Sequence, residues 1–375
     1  MHGHIRKRNK KSWTLVVELP RDATTGKRRQ KRVTVRETKK NAEKELVRLV
    51  NEIQTGSYTE LSGVTVGKYL DRWLEAMKEN VKPTTLYTYG KHVKQWKIMI
   101  GVILLPKLSA MDVQLAMGKF NVSSATKRVL LITLQSALNR AVKWGLLSRN
   151  PAGIVDAPRI QQKELCVWAE RETNCFLNTV KKTRHYCFFR LALVTGARLG
   201  ELLGLRWRDI DFEKKTIRIT RTVARLPGMI LEQAPKTASS RRSVPVDGKT
   251  IEVLKKHRKK RIEDALRTGE GWKEEHLVFC NPRTKKPLDP SVFEDAIHKY
   301  AQKAGVPDIR FHGLRHTHAT LLLRQGVHPK VVAERLGHAN VTMTLNRYSH
   351  VLPDSQFEAV KAIERIMPDN PPAKR

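Results

Sequence analysis

The sequence predicts a multidomain protein. It has a small α+β domain first, an all-α helical domain next, and a larger, mainly α domain that carries a small antiparallel sheet. Three observations predict this. At 375 residues the chain is longer than one core usually organises. Its hydrophobic periodicity runs from strand-like to purely helical, and then mixes the two. Hydrophobic residues make up 40%, enough for ordinary globular cores, although Lys and Arg number 72 against 36 acidic residues.

Residues 1–58 form the first domain. Trp13, Leu15, Val17 and Leu19 alternate at a strand period, and Arg32-Val33-Thr34-Val35 makes a second short run after a basic turn around Gly26. Ala42, Leu46, Leu49 and Ile53 then share one face of a helix beginning near Lys39. The turn Thr24–Arg29 would carry cations at its tip, and residues 1–60 hold 16 basic against 7 acidic side chains. Gln54-Thr55-Gly56-Ser57 reads as a linker.

Residues 64–155 form the helical domain. Leu70, Trp73, Leu74 and Met77 make one stripe, Pro83 suits a helix start, and Ser109 with Asp112 marks a capped third helix. Leu130 or Leu131, Leu134, Leu138 and Ala141 mark a fourth, ended by Gly145 and Asn150-Pro151. The polar segment Asp156–Gln162 reads as a connector.

Residues 163–375 form the third domain. Helices are expected through Phe176, through Phe188–Val194, and from Ile251, Ser291 and His312 onward. Short strands are expected at Thr216–Thr220, around Met229–Glu232 and at Arg242–Val246. Beyond Pro353, the residues Phe357, Val360, Ile363 and Met367 line one face of a terminal helix.

The formal net charge of +36 makes a polyanion the expected partner, because such self-repulsion destabilises a chain that has none. Nucleic acid leads. An anionic membrane surface is the weaker alternative, since no basic amphipathic helix or lipidation signal is present. The charged run Met1–Arg8 is followed by no apolar stretch, so neither a signal peptide nor a membrane span is expected. Cys166, Cys175, Cys187 and Cys280 have no metal-site spacing and read as free thiols in a reducing cytoplasm.

The chemistry gathers in three motifs. In Thr195-Gly196-Ala197-Arg198-Leu199-Gly200-Glu201, Thr-Gly breaks a helix and another opens near Ala197, with Arg198 and Glu201 projecting together. On its own that pair is most simply a surface ion pair. In Phe311-His312-Gly313-Leu314-Arg315-His316-Thr317-His318, His312 and Arg315 lie one turn apart. The rival reading is a metal site on His312, His316 and His318, but no Glu follows the first His and residues two apart on a helix diverge. In Leu336-Gly337-His338-Ala339-Asn340, Gly337 caps one helix and Asn340 opens the next, which reaches Tyr348 ten residues after His338. Taken singly, Tyr348 is a packing residue and His338 a turn residue.

Together, Arg198, His312, Arg315, His338 and Tyr348 supply two guanidinium forks, two imidazoles and a phenol. That set suits metal-free attack on a phosphodiester. Guanidinium grips non-bridging phosphate oxygens bidentately and keeps its charge, and a phenol can act as covalent nucleophile.

The order Arg, His-x-x-Arg, Gly-His, Tyr resembles the catalytic signature of the tyrosine recombinases, the phage integrase family, over roughly Trp168 to Ile366. No catalytic position departs from the family's pattern. Pro235-Lys236-Thr237-Ala238-Ser239-Ser240 resembles the family's hairpin lysine, which makes Lys236 the general acid in preference to Lys214 or Lys249. The resemblance implies that Tyr348 forms a 3′-phosphotyrosyl link while Arg198 and Arg315 hold the phosphate. It implies that His312 assists proton transfer at the tyrosine, that His338 bonds the phosphate, and that Glu201 orients the site. It further implies double-stranded attachment-site DNA as partner, a homotetramer on that DNA, and no ATP, metal or other cofactor. An excisionase and a DNA-bending host protein are compatible accessories, and the setting is the bacterial cytoplasm and its nucleoid. By the same likeness, residues 64–155 are the core-binding domain and residues 1–58 an arm-type DNA-binding domain. The last assignment favours an integrase over a cellular resolvase of chromosome dimers. A catalytically idle DNA-binding regulator and a metal-dependent nuclease are the alternatives from other classes.

Overall fold

The computed structural model describes residues 3–9, 12–19, 29–36, 38–54, 63–160, 166–233, 241–267, 269, 271–281, 283–348 and 355–367. The chain divides into two compact units, 1–162 and 163–375.

The first unit opens with an antiparallel meander of β1 (Gly3–Asn9), β2 (Ser12–Leu19) and β3 (Arg29–Val35), followed by α1 (Lys39–Gln54). Leu15 and Val17 of β2 pack against Ala42 and Leu49 of α1 in a small core. Strand β1 was not expected: only Ile5 contributes to this core, and its neighbours Arg6, Lys7 and Arg8 hide the alternation. Of the expected basic turn, Arg29 opens β3, and of the expected linker, Gln54 ends α1; residues 24–28 and 55–57 lie outside the described residues.

A separate core is built by α2 (Val66–Ala76), α3 (Pro83–Ile100), α4 (Ala110–Lys119) and α5 (Ser124–Lys143). Pro83 sits at the first turn of α3, where its missing N–H costs nothing. Ser109 and Asp112 close a reciprocal capping box on α4. Two buried aromatics find partners for their polar ends: Tyr69 Oη donates to the Ala137 carbonyl at 2.6 Å and Trp96 Nε1 to that of Leu130 at 2.9 Å.

The second unit contains α6 (Glu170–Val180), α7 (Tyr186–Thr195), α8 (Leu199–Leu203), α9 (Gly248–Arg267), α10 (Ser291–Ala304), α11 (Phe311–Arg324), α12 (Pro329–Leu336), α13 (Val341–Tyr348) and α14 (Ser355–Ile366). Its strands are β4 (Ile210–Asp211), β5 (Thr216–Ile219), β6 (Thr222–Leu226), β7 (Met229–Gln233) and β8 (Arg242–Pro245). β4, β5 and β8 form one antiparallel sheet, and β6 and β7 a hairpin. The sequence missed β6, whose Thr-Val-Ala-Arg-Leu pattern is too short to announce itself. An aromatic core joins α7 to α10 and α11, with Phe188 stacked on Phe293 at 3.5 Å between ring centroids. A smaller cluster of Ala319, Leu323, Val332, Leu336 and Tyr348 ties α11, α12 and α13 together. On α14 and just beyond, Val360, Ile363, Ile366 and Met367 are all exposed, while the Phe357 side chain lies outside the described residues.

Candidate active site

The site is assembled where α7 stops. Gly196 ends that helix in the left-handed conformation at φ +62°. A Cβ there would stand 2.6 Å from His318 Cδ2 and 2.7 Å from Leu336 Cδ2, so glycine is demanded by space as well as by backbone. The Gly196 carbonyl accepts a 2.9 Å hydrogen bond from Arg315 Nη1. The same turn therefore releases Arg198 toward α8 and anchors the second arginine.

Arg198 is the N-cap residue of α8. Its backbone N–H donates to Glu201 Oε2 at 2.9 Å and its Nη1 to Glu201 Oε1 at 2.8 Å. Taken by itself the pair reads as a surface ion pair; in the fold the Glu201 side chain is only 3% exposed, while that of Arg198 is 40% exposed. Arg242 of β8, itself buried, binds the same carboxylate and donates Nε to the Arg335 carbonyl at 2.6 Å. Burial alone would raise the Glu201 carboxyl, but Arg242 and Arg198 hold it below the usual carboxylate range.

Arg315, on the second turn of α11, is buried, and its Nη2 has no hydrogen-bond partner among the described residues. Burial and then Arg198 lower its pKa to about 9, which leaves it charged at neutral pH. His312 keeps an exposed face one turn earlier. Desolvation, then Arg315, Arg198 and Arg347, lower its pKa. His338 follows Gly337, which closes α12 at φ +68°. Its Nδ1 is 2.8 Å from Thr344 Oγ1, and burial, then Arg315 and Arg198, bring its pKa down to about 4. Asn340 Oδ1 accepts from the Thr342 backbone N–H at 2.9 Å and starts α13, as the sequence indicated.

Tyr348 is the last residue of α13 and is buried in the small cluster of α11, α12 and α13. Its phenol lies 2.5 Å from His316 Nδ1, not on His312. Burial pushes the phenol pKa up to about 12 even with Arg315 and Arg347 nearby.

Thus Arg198, His312, Arg315, His338 and Tyr348 are brought together. Lys236 lies outside the described residues, which end at Gln233 and resume at Arg241. Two participants were missed by sequence reasoning. His316 had a signal: it stands four residues after His312 on the same helix face, and the two rings meet edge to face at 4.7 Å. Arg242 had none, since 41 positions separate it from Glu201. The three histidines once weighed as metal ligands go different ways. His318 donates Nδ1–H to the Leu193 carbonyl inside the core, and His316 turns to the phenol. Among the described residues no three His, Cys, Asp or Glu side chains gather as a metal-binding group, and no helix is long and apolar enough to cross a membrane.

Comparison with known proteins identifies the family. The sequence pattern of the phage integrase family matches residues 168–354. A XerC-like tyrosine recombinase of Caldanaerobacter subterraneus subsp. tengcongensis is 33% identical over 354 residues, covering 88% of this chain and 90% of that one. The ICEBs1 integrase of Bacillus subtilis is 25% identical over 352 residues, covering 92% and 95%. Among solved structures, the integrase of transposon Tn1549 bound to a circular intermediate DNA superposes with a TM-score of 0.69 at 20% identity, covering 81% of this chain and 100% of that one. The fold, the arrangement of arginines, histidines and tyrosine, and a relative similar along nearly the whole length place this chain in the phage integrase family of tyrosine recombinases, enzymes of site-specific DNA recombination.

Proposed function

We propose that the protein integrates and excises a mobile element by cutting and rejoining duplex attachment sites through a 3′-phosphotyrosyl intermediate on Tyr348. One observation carries the reading. Arg315 is a buried, charged guanidinium whose Nη2 has no partner among the described residues, set beside a second arginine and within the field of the Tyr348 phenol. Two cations crowded at such cost are stabilised by an anion that accepts from both, and a scissile phosphate does so. The formal charge of +36 supplies the sequence-independent part of the affinity for that polyanion.

In this reading the Tyr348 oxygen forms a bond to phosphorus as the bond to the 5′-oxygen breaks. Arg198 and Arg315 hold the non-bridging oxygens, where charge develops, and His312 and His338 donate hydrogen bonds at the phosphate. Lys236 gives its proton to the departing 5′-oxygen. Glu201 fixes Arg198 and takes no proton. The bond energy stays in the phosphotyrosine, so strand rejoining needs no ATP.

Residues 1–58 serve as the arm-type module and residues 64–155 grip the core site. The exposed apolar face of α14 meets a neighbouring protomer in a tetramer on DNA. An excisionase and a DNA-bending host protein fit such a reaction, which belongs in the bacterial cytoplasm. The XerC-like relative supports a second biological setting, resolution of chromosome dimers, with the same chemistry.

A nicked suicide substrate tests the reading. The wild-type protein should accumulate a covalent adduct, also in excess chelator, while Tyr348→Phe should bind the site with nearly unchanged affinity and form none. Adduct from the Phe variant removes Tyr348 as nucleophile.

A further inference from the structure

We infer that His316 is a further catalytic residue: its Nδ1 takes the phenolic proton of Tyr348 as the strand is cut and returns it as the strand is rejoined. This rests on Tyr348 being the nucleophile. The hydrogen bond to His316, 2.5 Å long, is the one the phenol makes among the described residues. His312, which the family resemblance put forward for this task, makes no hydrogen bond or ring contact with the phenol among the described residues, and its ring lies edge to face at 85° against His316.

The charges around the pair set the direction of the proton. The phenol, with a pKa near 12, is protonated at rest, and in the His316 tautomer that carries its hydrogen on Nε2 the phenol donates and Nδ1 accepts. The His316 ring is neutral at rest: burial, then His312, Arg347, Arg315 and His338, bring its pKa down to about 4. An imidazole so discouraged is a weak base while the site holds only protein. A phosphodiester held by Arg198 and Arg315 adds negative charge beside Arg315 and offsets that part of the shift, while the burial remains. The proton acceptor thus gains strength when the phosphate arrives.

The step balances. The Tyr348 O–P bond forms, the P–O5′ bond breaks, the phenolic proton passes to His316 Nδ1, and the 5′-oxygen takes its proton from the general acid. In the reverse step the His316 imidazolium protonates the departing tyrosine oxygen.

The test uses the full chain and single-turnover adduct formation on the suicide substrate across neutral and mildly alkaline pH. His316→Gln keeps an oxygen that accepts from the phenol but is no base, and His316→Ala removes both. Both should bind a half-site normally and cut ~10²-fold more slowly at neutral pH, with rates that climb with pH where the wild type is flatter. Should the Ala chain fold poorly, the Gln chain alone decides the question. The inference is overturned if His316→Gln cuts as fast as the wild type or faster, which would make the hydrogen bond a resting latch. It is equally overturned by a slowing with unaltered pH dependence, which would make the ring a structural support. Tyr348→Phe run in parallel separates the two ideas, because an adduct there undoes the nucleophile and not merely its base.

Discussion

Glu201 and Arg242 form a buried two-point ion pair, with Nη2 2.9 Å from Oε2 and Nη1 3.3 Å from Oε1. Because the carboxylate also holds Arg198, one buried group connects β8 to the arginine that opens α8. Removing it takes from Arg242, whose side chain is 6% exposed, the carboxylate it grips at two points. Glu201→Ala should therefore destabilise the catalytic unit by about 3–5 kcal/mol in urea unfolding. Glu201→Gln should keep more of the stability yet slow adduct formation more than it weakens DNA binding. An unchanged urea midpoint for the Ala variant would show that the pair does not brace the site.

Lys236→Ala should slow cleavage on an ordinary strand and recover most of that loss on a substrate with a 5′-thio bridging atom, whose sulfur departs without protonation. Equal defects on both substrates would assign the general acid to another residue.

The buried His318 makes stability depend on pH. Burial, and then Arg335, Arg315 and Arg242, lower its pKa to about 4, while the Leu193 carbonyl pulls the other way. The unfolded chain binds its proton near pH 6.5, so the stabilisation is complete above that value and is lost as pH falls toward 4. The full loss is roughly 3 kcal/mol at about 1.4 kcal/mol per unit. His316 and His338 act in the same direction. Thermal melts between those pH values should fall less steeply for His318→Asn, whose amide can still donate to Leu193. Parallel curves would place the pH sensitivity elsewhere.

A fragment of residues 59–375 should protect the crossover site as the full chain does and lose protection only at outlying sites. The prediction follows from the basic excess of residues 1–60, 16 against 7. Identical footprints would make residues 1–58 something other than an arm-type module.

What could be read in advance follows a physical line. Local signals act within a turn or two of the helix: Pro83, the Ser109–Asp112 box, Gly337 and Asn340 all carry their meaning in neighbouring residues, and each stands where the sequence placed it. His312 and Arg315 were legible as a pair for the same reason, since three positions put them one turn apart on one helix, whereas Tyr348 was reached only through the order of the motifs. What depends on distant packing was not legible. Strand β1 carries almost no apolar signal of its own, and Arg242 has meaning only once β8 lies beside α8. His316 was visible as a residue but not as a partner, because its bond to Tyr348 spans 32 positions and depends on how α13 packs against α11.

A covalent bond between a protein and a DNA strand transmits force. The residue that would carry that force, Tyr348, closes a helix of eight residues and does not sit in the middle of a long one. The last carbonyls of a helix have no intrahelical partners, so its final turn yields before the rest. Arg198 and Arg315 are mounted elsewhere, on the start of α8 and in the body of α11. A pull on a strand joined to Tyr348 would then enter the protein through α13, an element distinct from those that mount the two arginines.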